Sequence, residues 1–138
     1  MEHFLETYKR LNARNLDLLD TIYSDHVRFV DPAHEIVGLD RLREYFAGLY
    51  ANLTSIEFKF LHEMRLGDEG YVQWRMAFSH RRLEGGRPVK VEGASYLQFD
   101  VIGKVSFHRD YFDLGAMLYE HLPVIGTVVV ALKRRLGQ

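Results

Sequence analysis

The chain changes its hydrophobic period twice, and those changes divide it into helix, sheet and helix again. Phe4, Leu5, Tyr8 and Leu11 recur at helical spacing, which predicts one apolar stripe on a first helix. Leu16, Leu18, Leu19, Ile22 and Tyr23 begin a second, short helix. Val27 to Asp31 is rich in β-formers and stops at Pro32, with a turn expected over Pro32 to Glu35. Beyond Gly38, the residues Leu39, Leu42, Tyr45, Phe46, Leu49 and Tyr50 draw the stripe of a third helix.

Alternation then takes over. Ile56, Phe58, Phe60, His62 and Met64 alternate with Glu57, Lys59, Leu61, Glu63 and Arg65, the pattern of a strand with one buried face. After a turn at Gly67 to Gly70, the residues Val72, Trp74, Met76 and Phe78 repeat it. A hairpin at Glu84 to Pro88 leads to Val89, Val91, Gly93, Ser95, Leu97 and Phe99 on one strand face. The last strand is expected from Lys104 to Asp113, and its inner face is open between two sets: Val105, Phe107, Arg109 and Tyr111, or His108, Asp110 and Phe112. From Leu114 the pattern is helical, Pro123 breaks it, and residues 122–138 form an expected helical extension. Its basic end, Lys133, Arg134 and Arg135, suits a helix C-terminus. Helices followed by a run of strands argue for an α+β domain. Four long strands after three helices imply a cone-shaped, mostly antiparallel sheet bent around the N-terminal helices, with an extra C-terminal helix. No repeat or linker divides residues 1–138, so a single domain is expected.

Composition narrows the function classes. At 138 residues, with 47% hydrophobic and 27% charged positions, the chain can bury a real core. An aromatic share of 13% suits a fold that encloses a cavity. A net charge of −1 provides no field for nucleic acid or anionic lipid, so neither is an expected partner. The absence of cysteine removes thiolate metal sites and cysteine nucleophiles. The longest apolar run, Leu122 to Leu132, is short of the roughly 20 residues a bilayer requires. No secretory signal opens the chain, and a cytoplasmic location is expected. Seven histidines show no zinc-type spacing, and no phosphate loop or nucleophile elbow is present, so neither metal nor cofactor is expected.

The segments "RFVDPAHEIVGLDRLREYFAGLY" and "GKVSFHRDYFDL", with the order of elements, resemble the nuclear transport factor 2-like superfamily. Within it the chain looks most like the SnoaL-like branch, which includes polyketide cyclases, and it is similar to ketosteroid isomerases and limonene epoxide hydrolase. The resemblance implies a cystatin-like cone, a pocket for a small hydrophobic molecule and a homodimer. Likeness to the isomerases puts their proton-shuttling aspartate on Asp31 of "FVDP" and their enolate-stabilising tyrosine on Tyr8. Ser95 stands where they keep a protonated aspartate, and a serine cannot act as a neutral carboxylic acid. Likeness to the hydrolase and the cyclases makes Asp110 of "HRDYFD" a catalytic acid or base, flanked by His108 and Phe112. Arg75 matches the hydrolase's arginine, whereas Phe29, Asp31 and Ala77 replace its tyrosine, asparagine and second aspartate. Trp74 and Phe78 belong to the expected pocket wall.

Each assignment has a structural counterpart: Asp31 as a turn acceptor, Tyr8 as a core tyrosine, Asp110 as an ion-pair partner of a neighbouring strand. Two functions follow. One is cofactor-independent acid–base chemistry of the isomerase, cyclase or hydrolase type. The other is a non-catalytic hydrophobic-ligand-binding or dimeric assembly module.

Overall fold

Helix α1 (Glu2–Arg10) opens with Glu2 and closes with Lys9 and Arg10, charges that complement its dipole. It buries Phe4, Leu5 and Tyr8. The computed structural model describes residues 1–117, 131–132 and 134–137. A 3₁₀ turn (Leu16–Thr21) follows α1 and passes directly into strand β1 (Tyr23–Val30). Ile22 and Tyr23 were expected to be helical. Instead the chain extends at Tyr23, whose ring, fully buried with Val27 and Phe29, serves the inner face of a strand. A short edge strand, β2 (Glu35–Val37), pairs antiparallel with β1 and carried no sequence signal of its own. Gly38 then adopts φ +97°, a left-handed value suited to glycine, and starts helix α2 (Leu39–Ala51). Leu39, Leu42, Phe46 and Tyr50 form its buried stripe.

Four long strands complete the sheet: β3 (Leu53–Leu66), β4 (Glu69–His80), β5 (Val89–Phe99) and β6 (Val105–Phe112). The order is β2-β1-β6-β5-β4-β3. Only the β1–β6 contact is parallel. The result is an unclosed six-stranded sheet curved around α1 and α2, with the core between. A short helix, α3 (Leu114–Met117), follows. Of the expected extension at 122–138, residues 131–132 and 134–136 are helical, and 122–130, 133 and 138 lie outside the described residues. Among the described residues no helix is long and apolar enough to cross a membrane.

Alternation predicts the inner faces of β4 and β5 correctly: Val72, Trp74 and Phe78, and Val89, Val91, Ser95, Leu97 and Phe99, are buried. On β6 the open choice resolves. His108 is buried, Asp110 and Phe112 are half-buried, and Arg109 and Tyr111 face solvent. On β3 the expectation fails beyond Phe60, where the register slips by one residue before His62. That bulge inverts the pattern, leaving His62 and Met64 exposed rather than buried.

Gly93 sits opposite Trp74 in the β4–β5 ladder. A Cβ there would meet indole carbons at 2.5 Å and the Tyr111 carbonyl at 2.8 Å. The glycine therefore lets the indole lie flat across β5. We expect Gly93→Ala to displace the ring and cost about 1–3 kcal/mol of stability. Denaturant midpoint and emission of the single tryptophan report both effects, and parent-like values in both would disprove this role.

Candidate functional site

The concave side of the sheet and helices α1 and α2 enclose a cavity of about 370 Å³, within the range of small-molecule sites. Its walls are apolar over most of their extent: Phe46, Ile56, Phe58, Met76, Phe78 and Phe112. Two hydrogen-bonded groups of polar side chains enter the cavity, and Tyr50, Asn52 and His80 line it as well.

The first is a continuous chain of six side chains drawn from five elements. Trp74 Nε1 donates to Ser95 Oγ at 2.8 Å, and Ser95 Oγ donates to Asp110 Oδ1 at 2.5 Å. His108 Nε2 meets the same Oδ1 at 2.6 Å. His108 Nδ1 lies 2.6 Å from the Tyr23 hydroxyl, which in turn bonds the Tyr8 hydroxyl. Strand geometry explains the assembly. Ser95 and Asp110 are cross-strand partners in the β5–β6 register, and His108 precedes Asp110 by two residues, on the same face. Phe29 pairs with His108 across the parallel β1–β6 contact, and its ring lies 4.7 Å from the imidazole.

With a carboxylate at Asp110, His108 donates from Nε2, and in the neutral imidazole Nδ1 is then an acceptor. Tyr23 then donates to Nδ1, and Tyr8 donates to Tyr23. Asp110 Oδ1 takes both protein hydrogen bonds; Oδ2 has no partner among the described residues. Burial pushes the Tyr8 and Tyr23 hydroxyls well above the ordinary phenol range, and the nearby Asp110 charge adds to it. Both therefore stay protonated at neutral pH and act as donors.

The second polar place is the turn after β1. Asp31 Oδ1 accepts the backbone N–H groups of Ala33 and His34 at 2.8 and 2.7 Å, and His34 Nδ1 lies 3.3 Å away. Asp31 Oδ2 accepts the Tyr45 hydroxyl at 2.7 Å. The carboxylate closes an Asx turn, which is the structural reading its sequence context allowed. Burial, then the bond to Asp31, raises the Tyr45 phenol far above its usual range.

All eight residues singled out in the sequence (Tyr8, Asp31, Trp74, Phe78, Ser95, His108, Asp110 and Phe112) line this one cavity. Arg75 does not; it points outward and pairs with Glu92 at 2.8 Å. Ser95, which stands where the isomerases keep a protonated aspartate, gives its proton to Asp110. Tyr23 and Tyr45 were read only as apolar-stripe residues. For Tyr23 a signal existed, since it shares strand parity with Val27, Phe29 and Asp31. For Tyr45 none did, because only the turn's shape brings Asp31 under it. Among the described residues no cluster of three metal-ligating side chains occurs.

A family model for the SnoaL-like domain matches residues 3–108. No curated protein matches the sequence. Among solved structures, a nuclear transport factor 2-like protein of unknown function from Burkholderia pseudomallei is 16% identical with a TM-score of 0.74, covering 86% of this chain and 93% of its own. A candidate SnoaL-like polyketide cyclase from a Jannaschia species is 20% identical with a TM-score of 0.69, covering 85% and 90%. TerC, co-crystallised with polyporic acid, is 17% identical with a TM-score of 0.72, covering 84% and 92%. Likeness at these identities establishes the fold.

The buried phenols carry a pH consequence. Tyr8, Tyr23, Tyr45 and Tyr50 all have hydroxyls raised by burial. Their contribution to stability is fully present below about pH 10, the unfolded value, and is lost as pH rises above it, at about 1.4 kcal/mol per unit for each tyrosine. In an alkaline titration followed by phenolate absorbance, four of the eight tyrosines should ionise only as the fold is lost. Free titration of all eight in the folded protein would contradict this burial.

Proposed function

The chain belongs to the SnoaL-like domain family, and from that premise we propose that its cavity binds a small hydrophobic carbonyl compound and moves a proton on it without a cofactor, as an isomerase or cyclase does. One observation carries this reading: a carboxylate set into an apolar cavity, pinned at one oxygen by Ser95 and His108 and, among the described residues, unpartnered at the other.

In this reading Asp110 Oδ2 takes a proton from carbon next to the ligand's carbonyl, and the electron pair moves to the carbonyl oxygen. Tyr8, whose hydroxyl remains a phenol, faces the same cavity and donates to that oxygen. Returning the proton to another carbon gives isomerisation; attack of the enolate on a second carbonyl of the ligand closes a ring. Ser95 and His108 keep the carboxylate's geometry fixed, which favours reaction over reorganisation. Asp31 is the weaker base in this scheme, because both its oxygens already serve the turn and Tyr45. The likeness to TerC, seen with polyporic acid, and to a candidate polyketide cyclase supports an oxygenated hydrophobic ligand.

Asp110→Asn keeps an oxygen to accept from Ser95 and His108 while removing the base. It should slow α-carbon deuterium exchange on a panel of aryl ketones by about 10²- to 10⁴-fold, with near-ultraviolet dichroism unchanged. Asp31→Asn should cost far less. Exchange at the parent rate in Asp110→Asn ends the catalytic proposal. Retained hydrophobic ligand in native mass spectrometry, without exchange on any ketone, would favour a binding module instead.

The same reading includes a homodimer through the convex sheet face. Tyr71 and Tyr111 are half exposed there, beside Tyr96 and Phe107, an aromatic surface that a second copy would cover. Sedimentation should give twice the 16.2 kDa chain mass, and Tyr71→Glu should halve it. A parent protein that stays monomeric at high concentration excludes the dimer.

A further inference from the structure

The chain from His108 to Tyr8 contains two groups, Tyr23 and Tyr8, whose hydroxyls can each donate in either direction. Their direction is fixed only by the protonation of His108. With neutral His108, Nδ1 accepts from Tyr23 and Tyr23 accepts from Tyr8. Tyr8's single proton is then spent inside the protein. With a second proton on His108, Nδ1 becomes a donor. Tyr23 must then accept from it and turn its own proton to Tyr8, and Tyr8's proton is released toward the cavity.

We infer that Tyr23 is a positioning residue that reverses the hydrogen-bond chain, so that protonation of His108 turns Tyr8 from an internally bonded phenol into a proton donor for a carbonyl oxygen in the cavity. The assignment of that oxygen rests on the function proposed above; the reversal itself does not. The step balances. As Asp110 Oδ2 takes the carbon-bound proton, Tyr8 passes its proton to the ligand oxygen, Tyr23 passes one to Tyr8, and His108 Nδ1 passes one to Tyr23. His108 ends neutral, and return of the ligand to its carbonyl form runs the chain backwards. His108 is thus the acid of the site and acts two hydroxyls away, while its other nitrogen holds the base.

The surroundings of His108 fit this role. Its titratable neighbours are Asp110 on its own strand, Tyr23 on β1 and Tyr8 on α1. Phe4 and Phe29 close two further sides of the imidazole, and β5 places Leu97 opposite it in register. No cation is among these contacts. From α2, Tyr50 lines the same cavity, and its own buried hydroxyl has no hydrogen-bond partner among the described residues. A second unspent donor therefore lines the cavity into which the reversal frees the first, and a carbonyl or enolate oxygen is the ligand group that two phenol donors suit.

The free protein supplies the first test. With ¹⁵N-histidine and ¹³Cζ-tyrosine labels, the Tyr8 and Tyr23 signals should move with the midpoint at which His108 Nδ1 gains its proton. In Tyr23→Phe, His108 should still titrate while Tyr8 loses its response. His108→Gln, which keeps hydrogen bonding without titrating, should silence both tyrosines, and it serves if Tyr23→Phe does not fold. A His108 that never titrates in the folded range overturns the inference, as does a Tyr8 signal that keeps its full response in Tyr23→Phe. The ligand half is tested with 2-acetylnaphthalene by calorimetry in two buffers of different ionisation enthalpy, at a pH where free His108 is neutral. Binding should take up close to one proton in the parent and none in Tyr23→Phe. Binding without uptake overturns the coupling to the ligand; failure of the ketone to bind counts against the proposed function, with the titration deciding the reversal by itself.

Discussion

One oxygen atom organises the interior of this protein. Asp110 Oδ1 accepts from Ser95 on the adjacent strand and from His108 on its own, and through them it reaches Trp74, Tyr23 and Tyr8. Removing the carboxylate would leave several buried polar groups without partners, each at a cost of about 1–3 kcal/mol. The elements so joined include α1, at the opposite end of the sequence from β6, and the central strands β1, β4 and β5. A network drawn from so many elements can be satisfied in one arrangement only, so it specifies the relative placement of helix and sheet more tightly than apolar packing would. The aromatic rings around it add contact without direction. Phe4 meets both Tyr8 and Tyr23, and Phe29 meets His108, Tyr45 and Phe46. Phe29 thereby separates the Asp110 network from the Asp31 turn, and two carboxylates share one cavity without sharing a hydrogen-bond system.

That separation explains why the two acids differ in what they can do. Asp31 belongs to a turn, and turns satisfy short acidic side chains from their own backbone. The bonds to its Oδ1 come from residues two and three positions along and hold the chain's path after Pro32, and its Oδ2 is taken by Tyr45. Asp110 belongs to a strand, whose backbone groups are occupied by neighbouring strands. Its side chain must find partners among other side chains, and those are distant in sequence. A carboxylate of the first kind is bound to local structure. One of the second kind depends on tertiary structure, and the two groups that hold Oδ1 leave Oδ2 for something else.

The same distinction decides how much could be read from the sequence. The helices, the strands β3 to β6 and the inner faces of β4 and β5 follow from periods of 3.6 and 2, which are properties of a few consecutive residues. Trp74, Phe78 and Ser95 likewise lie on faces that alternation identifies, whereas the face of β6 that carries His108 and Asp110 stayed open, and Tyr8, Asp31 and Asp110 were singled out by the resemblance. What stayed hidden depends on pairings between distant segments. The bulge before His62 has no residue that announces it, yet it turns His62 and Met64 outward. The parallel contact between β1 and β6 sets Phe29 beside His108, and no pattern within either strand encodes that pairing. Tyr23 looked like the end of an apolar helix because its role requires Tyr8 and His108, which lie 15 and 85 residues away.

A buried hydrogen-bond chain ending in hydroxyls also separates two properties that are hard to obtain together. A histidine exposed to a ligand would hold its proton in contact with water whenever the site is empty. Here the imidazole is buried to 2% exposure at the cavity wall, packed against aromatic rings, and its Nδ1 is bonded to a phenol that stays protonated. Direction in the chain is then the variable quantity, whereas the positions of its heavy atoms need not change. Such an arrangement lets a rigid sheet respond to protonation without moving, because the hydroxyl hydrogens reorient and the core packing does not. It also places His108 and Asp110 on the same strand, two residues apart, where the strand's own geometry keeps both on one face.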